Sequence, residues 1–431
     1  MKIPSYVSII SLGLMVVLVA AGCNQRANLS SPSKTSVNPT PAAGPALTIT
    51  EIASPAGQDS REPEMYSTPD GRIILSWVEK IKDKRYALRF SVRDGANWSE
   101  PRTVSEGENW FVNWADFPSI ITTGADSMAA HWLVKSGPGT YAYDVNISLS
   151  KDKGQTWGKP VIPHTDKTQT EHGFVSLLPL GEARVGASWV DGRSLAGMNV
   201  DEDHGPMPES MSLRYASISP EGKISDEAIL DDRICECCQT SAALTSEGAI
   251  VAYRNRSETE VRDIYYVREV QGKWSEPRPV HVDGWEIAAC PVNGPSVTAD
   301  GRRVAVAWFT EADDRQRVQI AFSEDAGITF GGPVQVDDGN AMGRVDALML
   351  PDGSALVCWL SGTAEKGAIK VRRIRSDGAL GAVSTVSETD ISRSSGFPRI
   401  ARLGDQVFFA WTEFGKPSRV RTAAAKIDIN K

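Results

Sequence analysis

The sequence predicts an all-β fold, a single β-propeller of seven four-stranded blades. A short apolar strand ending in an aromatic recurs seven times, in IILSWVE, AAHWLV, VGASWVD, IVAYRNR, VAVAWFT, ALVCWLS and FFAWTE. Its aromatics are Trp77, Trp132, Trp189, Tyr253, Trp308, Trp359 and Trp411, spaced by 55, 57, 64, 55, 51 and 52 residues. A small sheet cannot bury both faces alone, so a period near fifty built from short strands implies blades stacked around an axis. Hairpin turns punctuate the period: TPDG at 68–71, TADG at 298–301 and LPDG at 350–353, where Asp-Gly supplies the positive φ of a tight turn.

In chain order, the first blade is expected to place its strands at 63–68, 72–79, 84–92 and 101–106, and the later units repeat that plan. The seventh begins near Phe397 and runs out after three strands, at about Ile427. The run ALTITEIA (46–53) alternates like a strand and has no local partner. It is expected to complete the last blade and close the ring, which removes two sheet edges.

Residues 1–22 read as an export signal: Lys2 leads an apolar run from Ile9 to Ala21 that is too short for a membrane span. The run ends in LVAAGC, which resembles the bacterial lipobox with Cys23 as the lipidated residue. Asn24 in place of aspartate points to the outer membrane or cell surface. Residues 23–45, rich in Ser, Thr, Pro and Asn, read as a disordered tether, and 46–431 as the propeller. With 41% hydrophobic residues the core is ample, and a net charge of −8 argues against nucleic acid as a partner. The expected partners are a lipid membrane and a small ligand, with the protein itself a monomer.

Two segments, SKDKGQTW (150–157) and SEDAGITF (323–330), fit S-x-D-x-G-x-T-W/F, with degenerate versions at 91–98 and 272–274. This pattern resembles the Asp-box, or BNR, repeat of sialidase-like propellers. There the Asp caps backbone N–H groups, Gly takes the left-handed position and the aromatic packs between blades. The resemblance implies a six-bladed ring as the alternative, and arginines around a substrate carboxylate. Arg61-Glu62-Pro63 is similar to the family's entry into the first inner strand. Arg254 or Arg256, and Arg344 or Arg399, are the further candidates. The segment CECCQT (235–240) stands where the family's glutamate is expected, and no tyrosine near the C-terminus sits in a nucleophile context.

The residues preceding each inner strand converge at one mouth of a propeller. They include Arg61 and Glu64, then Asn113, Trp114 and Asp116, then Glu171 and His172. Cys235, Glu236, Cys237 and Cys238 follow, then Cys290 and Asn293, Arg344 and Asp346, and Arg393 and Ser395. The longest period places the loop 191–211 on the same side, with Asp191, Arg193, His204, Met207 and Met211. Long loops in compact domains often bind ligands.

Of six cysteines, Cys23 is assigned to lipid and Cys358, in ALVCWL, to the core. The other four form either two disulfides, one pairing being Cys237–Cys238 with Cys235–Cys290, or a soft metal site for copper or zinc. His172, His204, Met207 and Met211 are the possible additional metal ligands.

Three functions stay open. A binding module for a glycan or other small ligand would use Trp114, Asp116, His172, Arg193 and Arg344. A glycoside hydrolase would need two opposed carboxylates, drawn from Glu64, Asp116, Glu171, Asp191 and Asp346, with Arg61, Arg254 and Arg344 around the substrate. A metalloprotein would use the thiols.

Overall fold

The computed structural model describes residues 44–198, 210–363 and 366–428. The proposed signal, Cys23 and most of the tether lie outside these residues, as do His204 and Met207. The described chain forms seven antiparallel sheets, six built from consecutive strands and the seventh from the last three strands with the N-terminal one.

Blade 1 runs Ser60–Ser67, Ile73–Lys82, Arg85–Asp94 and Arg102–Gly107. Blade 2 has Ser119–Thr122, Met128–Lys135 and Tyr143–Ser150. Its fourth position is held by a single bridge from Ile147 to Val161, with 2.8 Å bonds in both directions. Pro160 and Pro163 flank Val161 and lack the N–H a longer ladder needs.

Blade 3 is built from His172–Pro179, Val185–Asp191, Met211–Ile218 and Ile224–Ile234. Blade 4 uses Ser241–Thr245, Gly248–Arg254, Ile264–Val270 and Arg278–Pro279. Blade 5 uses Ser296–Asp300, Arg303–Thr310, Arg317–Ser323 and Val334–Gln335. Blade 6 consists of Ala341–Met349, Ala355–Gly362, Gly367–Ile374 and Ser384–Thr389. Blade 7 contributes Arg399–Leu403, Gln406–Glu413 and Arg419–Lys426, and Ile49–Ile52 supplies its outer strand. Ile49 pairs with Ala425 and Ile52 with Thr422, so the N-terminal strand closes the ring as expected. Seven blades, not six, surround the axis.

All seven repeat aromatics are buried, and each packs on the blade before its own. Trp308 of blade 5 lies with Ile250, Ala252 and Ile264 of blade 4. Trp359 meets Ala305 and Val318 of blade 5. Trp77 of blade 1 meets Phe408 and Ala410 of blade 7, which carries the pattern across the closure. The period therefore counts interfaces between sheets. Each buried indole contributes a large apolar area at a point where two twisted sheets would otherwise gap.

The two S-x-D-x-G-x-T turns make the same bonds. The Thr156 N–H donates to Asp152 Oδ1 at 2.9 Å and its hydroxyl to Oδ2 at 2.6 Å; Thr329 and Asp325 repeat both distances. Gly154 and Gly327 hold φ of 75° and 80°. Trp157 meets Phe90 of blade 1 edge-on, and Phe330 meets Tyr266 of blade 4. These turns are structural.

Candidate functional site

The seven inner strands enclose an axial channel of about 580 Å³. Small polar side chains tie each inner strand to the next. The Val297 N–H donates to Ser241 Oγ at 2.9 Å, and Ala347 N–H to Ser296 Oγ at 3.0 Å. Glu64 sits in this channel, ion-paired with Arg399, whose guanidinium lies 4.2 Å over Phe117 and 3.6 Å from Asp346. Burial raises the Glu64 carboxyl to about 7, against the pull of Arg399 and with the push of Asp346. Glu64 and Arg399 thus serve as a mutual pair inside the channel.

At the mouth, three inner strands begin with a bulge. The register shifts between Arg61 and Glu64, Gly173 and Ser176, and Gly343 and Asp346. Glu62, Phe174 and Arg344 adopt φ of 54°, 50° and 53° there. Such positions cost energy in non-glycine residues and persist only where the surroundings fix them. A side chain from the preceding blade or its lead-in does so each time. The Glu62 N–H donates to Thr412 Oγ1, the Phe174 N–H to Asp116 Oδ1 and the Arg344 N–H to Asn293 Oδ1. Gly173 is required because a Cβ there would lie 2.1 Å from Asp116 Oδ2.

Asp116 also forms half of a carboxylate pair. Tyr143 Oη lies 3.0 Å from Asp116 Oδ2 and 2.7 Å from Glu171 Oε1. A hydroxyl has one proton to give, so one carboxyl must keep its own proton and donate to Oη. Burial pushes Glu171 well up, and Asp116, Cys290 and Glu236 add to the push. Burial raises Asp116 only to about 7, since the Phe174 N–H and Tyr143 favour its anion. The relay therefore runs from the partly exposed Glu171, whose burial favours its proton, through Tyr143 to the buried Asp116. Sequence reading missed Tyr143, which looks like one more core aromatic in its strand.

Next to this relay, a pocket of about 250 Å³ is lined by Arg61, Glu62, Trp114, Thr412, Phe414 and Ser418, among others. Arg61 Nε and Glu62 Oε2 are buried without a hydrogen-bond partner. Burial holds the Glu62 carboxyl well above its usual range, despite Arg61. Phe414 is half exposed, and Trp114 stacks on Phe397.

The other expected site residues are placed differently. Arg254 is buried, and its guanidinium donates to the carbonyls of Asn293, Arg262 and Phe309 while lying over Trp285. It is a strut between blades 4 and 5. Arg344 donates to Ser392 O, Ser395 Oγ and Gly396 O and covers Trp114 at 4.7 Å. Arg256 pairs with Glu236 and Glu260. Of the arginines proposed for a substrate carboxylate, Arg61 and Arg399 each keep a buried, unpartnered Nε; Arg399 is ion-paired with Glu64 in the axial channel, and Arg61 lines the smaller pocket.

His172 is fully buried, stacked on His164 at 3.7 Å, with Nε2 at 2.9 Å from Asp166. Asp191 is fully buried as well and accepts from Trp189 Nε1 and from Arg193. Burial works against the His172 cation, but Asp166 and Asp191 raise its affinity for the proton, while burial lowers His164 to about 4. In this blade-3 network His172, Asp191 and Arg193 are held by one another and by Asp166, while His164 Nε2 is buried without a partner. Met211 packs with Leu195 and Leu213 in the core.

Among the described residues Cys235, Cys237, Cys238, Cys290 and Cys358 are free thiols. Cys235 Sγ lies 3.4 Å from Cys238 Sγ and 3.7 Å from Cys237 Sγ, against about 2.05 Å for a disulfide. The disulfide expectation is therefore not met. Cys358 is buried in the core, as expected, and burial pushes its thiol up.

No protein-family model and no curated protein matches the sequence. Solved structures match by fold. The polysaccharide lyase Uly1 aligns over 85% of this chain and 90% of its own, with a TM-score of 0.50 and 7% identity. A protein of unknown function from Dyadobacter fermentans aligns over 89% and 99%, with a TM-score of 0.49 and 14% identity. The Penicillium chrysogenum α-L-arabinanase complexed with arabinobiose aligns over 88% and 98%, with a TM-score of 0.46 and 10% identity. Likeness at these identities shows the fold.

Proposed function

We propose that the protein is an exported propeller, anchored through Cys23, that binds an acidic saccharide at the mouth of its ring. The carrying observation is the pair of unpartnered buried atoms, Arg61 Nε and Glu62 Oε2, in a pocket beside Trp114. Buried polar groups are nearly always bonded, and an orphaned donor and carboxyl in a concave site await a ligand. A guanidinium suits a carboxylate, a neutral carboxyl can donate to it or to a hydroxyl, and the exposed face of Phe414 suits a sugar ring. The volume is below the roughly 300–1,000 Å³ of drug-sized sites and fits a terminal sugar residue. The fold is also that of a polysaccharide lyase, which agrees with this ligand class.

Calorimetry against uronate and other carboxylated oligosaccharides tests the reading. Binding should be lost or weakened at least tenfold in Arg61→Ala with the melting temperature retained, and neutral sugars should bind less well. Absence of binding to every acidic saccharide would end it. The anchor is tested by radiolabelled fatty acid, which should label the wild type and not Cys23→Ser.

The relay of Glu171, Tyr143 and Asp116 favours a second reading, cleavage of a glycosidic bond with Glu171 as the acid. Product formation from an acidic oligosaccharide, abolished in Glu171→Gln while binding persists, would distinguish an enzyme from a binding module.

A further inference from the structure

We infer that Cys235, Cys237, Cys238 and Cys290 form a binding site for one thiophilic d¹⁰ cation, Zn²⁺ or Cu⁺. The inference is independent of the saccharide reading, since no thiol lines the Arg61 pocket.

Geometry comes first. The three clustered sulfurs all lie within 4.8 Å of one another, with separations of 3.4 and 3.7 Å from Cys235. A tetrahedral ion with metal–sulfur bonds near 2.3 Å spaces its ligands by about 3.8 Å. The thiols are thus held near ligand spacing without being bonded to each other. Cys290 lies outside this trio but beside Cys237, is the nearest source of a fourth sulfur, and is exposed, which gives the ion a way in.

The surroundings are those of an anionic sulfur site. Arg262 Nη1 lies 3.2 Å from Cys235 Sγ, and the same guanidinium is held by Glu236 and Glu260. An oriented donor to a thiolate is what metal ligands commonly carry in their outer shell. The segment is also fixed in place. The Cys235 N–H donates to Arg254 O at 2.9 Å, and Arg254 is itself immobilised by three carbonyls. Ligands held ready in this way lose little entropy on binding.

The donor set selects the ion. Sulfur alone suits Zn²⁺ or Cu⁺ and disfavours Mg²⁺ or Ca²⁺, which take oxygen. His172 and Met211, which would have tilted the choice towards copper, are engaged elsewhere.

The test is metal analysis and thiol counting on full-length protein prepared without oxygen and supplied with Zn²⁺ or Cu⁺ alone. About one equivalent of either ion should be retained after desalting, and competition between the two assigns the site. Cobalt(II) in place of zinc should give the visible bands of a tetrahedral thiolate complex. Cys235→Ser and Cys238→Ser should drop retention below a tenth of an equivalent. Cys290→Ser, at an exposed position, should weaken binding at least tenfold with an unchanged melting temperature, which separates loss of the site from loss of the fold. Retention below a tenth of an equivalent in folded wild type with all thiols free would overturn the inference. So would recovery of the four sulfurs as disulfides in that preparation, each bond having lost two hydrogens to an oxidant.

Discussion

The Phe174 N–H donates to Asp116 Oδ1 at 2.9 Å, across the junction of blades 2 and 3. This bond holds Phe174 at a φ of 50° and aims the start of the blade-3 inner strand at the mouth. Asp116 therefore positions the site as well as taking part in its relay. Asp116→Ala leaves the buried Phe174 N–H without a partner and removes one bond from Tyr143. Each such loss costs about 1–3 kcal/mol, so the variant should be destabilised by about 2–5 kcal/mol in urea denaturation. Asp116→Asn keeps the oxygen acceptor and should lose less than half as much. Equal losses for the two variants would mean that the carboxylate charge, and not the bond to Phe174, is what counts.

The same relay fixes a pH dependence. Asp116 is raised to about 7 in the folded protein from an ordinary 3.8, and Glu171 is raised as well. A carboxyl whose folded pKa lies above its unfolded one stabilises fully below the unfolded value. That contribution is lost as pH rises through the folded value. Stability from Asp116 should therefore fall between about pH 4 and pH 7, by on the order of 4 kcal/mol at most. Glu171 extends the fall to higher pH. In Asp116→Asn/Glu171→Gln this descent should be absent, so wild type and variant diverge progressively from pH 4 to 8. Parallel curves across that range would show both carboxyls ionised throughout.

The interfaces between blades make a third prediction. Trp308 is fully buried against blade 4, and its Nε1 donates to Asp283 Oδ2 at 2.7 Å. Trp308→Ala removes that bond and leaves a cavity between two sheets, at a cost of about 3–5 kcal/mol. Trp308→Phe fills most of the volume and should recover more than half of it. Guanidinium unfolding monitored by circular dichroism gives both values, and a loss under 1 kcal/mol for alanine would show that the neighbouring sheets close the gap.

The blades were legible because apolar strands recur at fixed distance from one buried aromatic, and that signal is local. The mouth was legible as a set of positions, since any ring gathers the lead-ins of its inner strands. Asp116, Glu171, Arg61 and the thiols were all named on that ground. Their chemistry was hidden because it depends on partners from other blades. Nothing near Tyr143 marks its hydroxyl as the link between two carboxyls. Nothing near Arg262 marks it as the partner of Cys235, 27 residues away. His172 shows the same: only the folded chain stacks it on His164 and hands it Asp166. The bulges at Glu62 and Phe174 carry no left-handed glycine, so no turn signal announces them; at Arg344 the preceding Gly343 holds a φ of 83°.

Closure of the ring can be tested by removing the strand that makes it. Ile49–Ile52 pairs with Thr422 to Ala425, Leu47 and Ile49 pack on the cluster containing Leu356 and Trp411, and the Leu47 N–H reaches Ser384 Oγ on blade 6. Deleting residues 46–53 strips the outer edge of Arg419–Lys426 and exposes part of that cluster. The expected loss is about 3 kcal/mol, a fall of about 4 °C in melting temperature for a domain of this size. The bared edge also offers unpaired N–H and C=O groups to a second chain, so the truncated protein should associate more than the intact one. Adding the peptide 44–53 in excess should restore part of the melting temperature, because the missing strand can bind as a separate piece. An unchanged melting temperature in the truncated protein would place closure of the ring in the remaining blades alone.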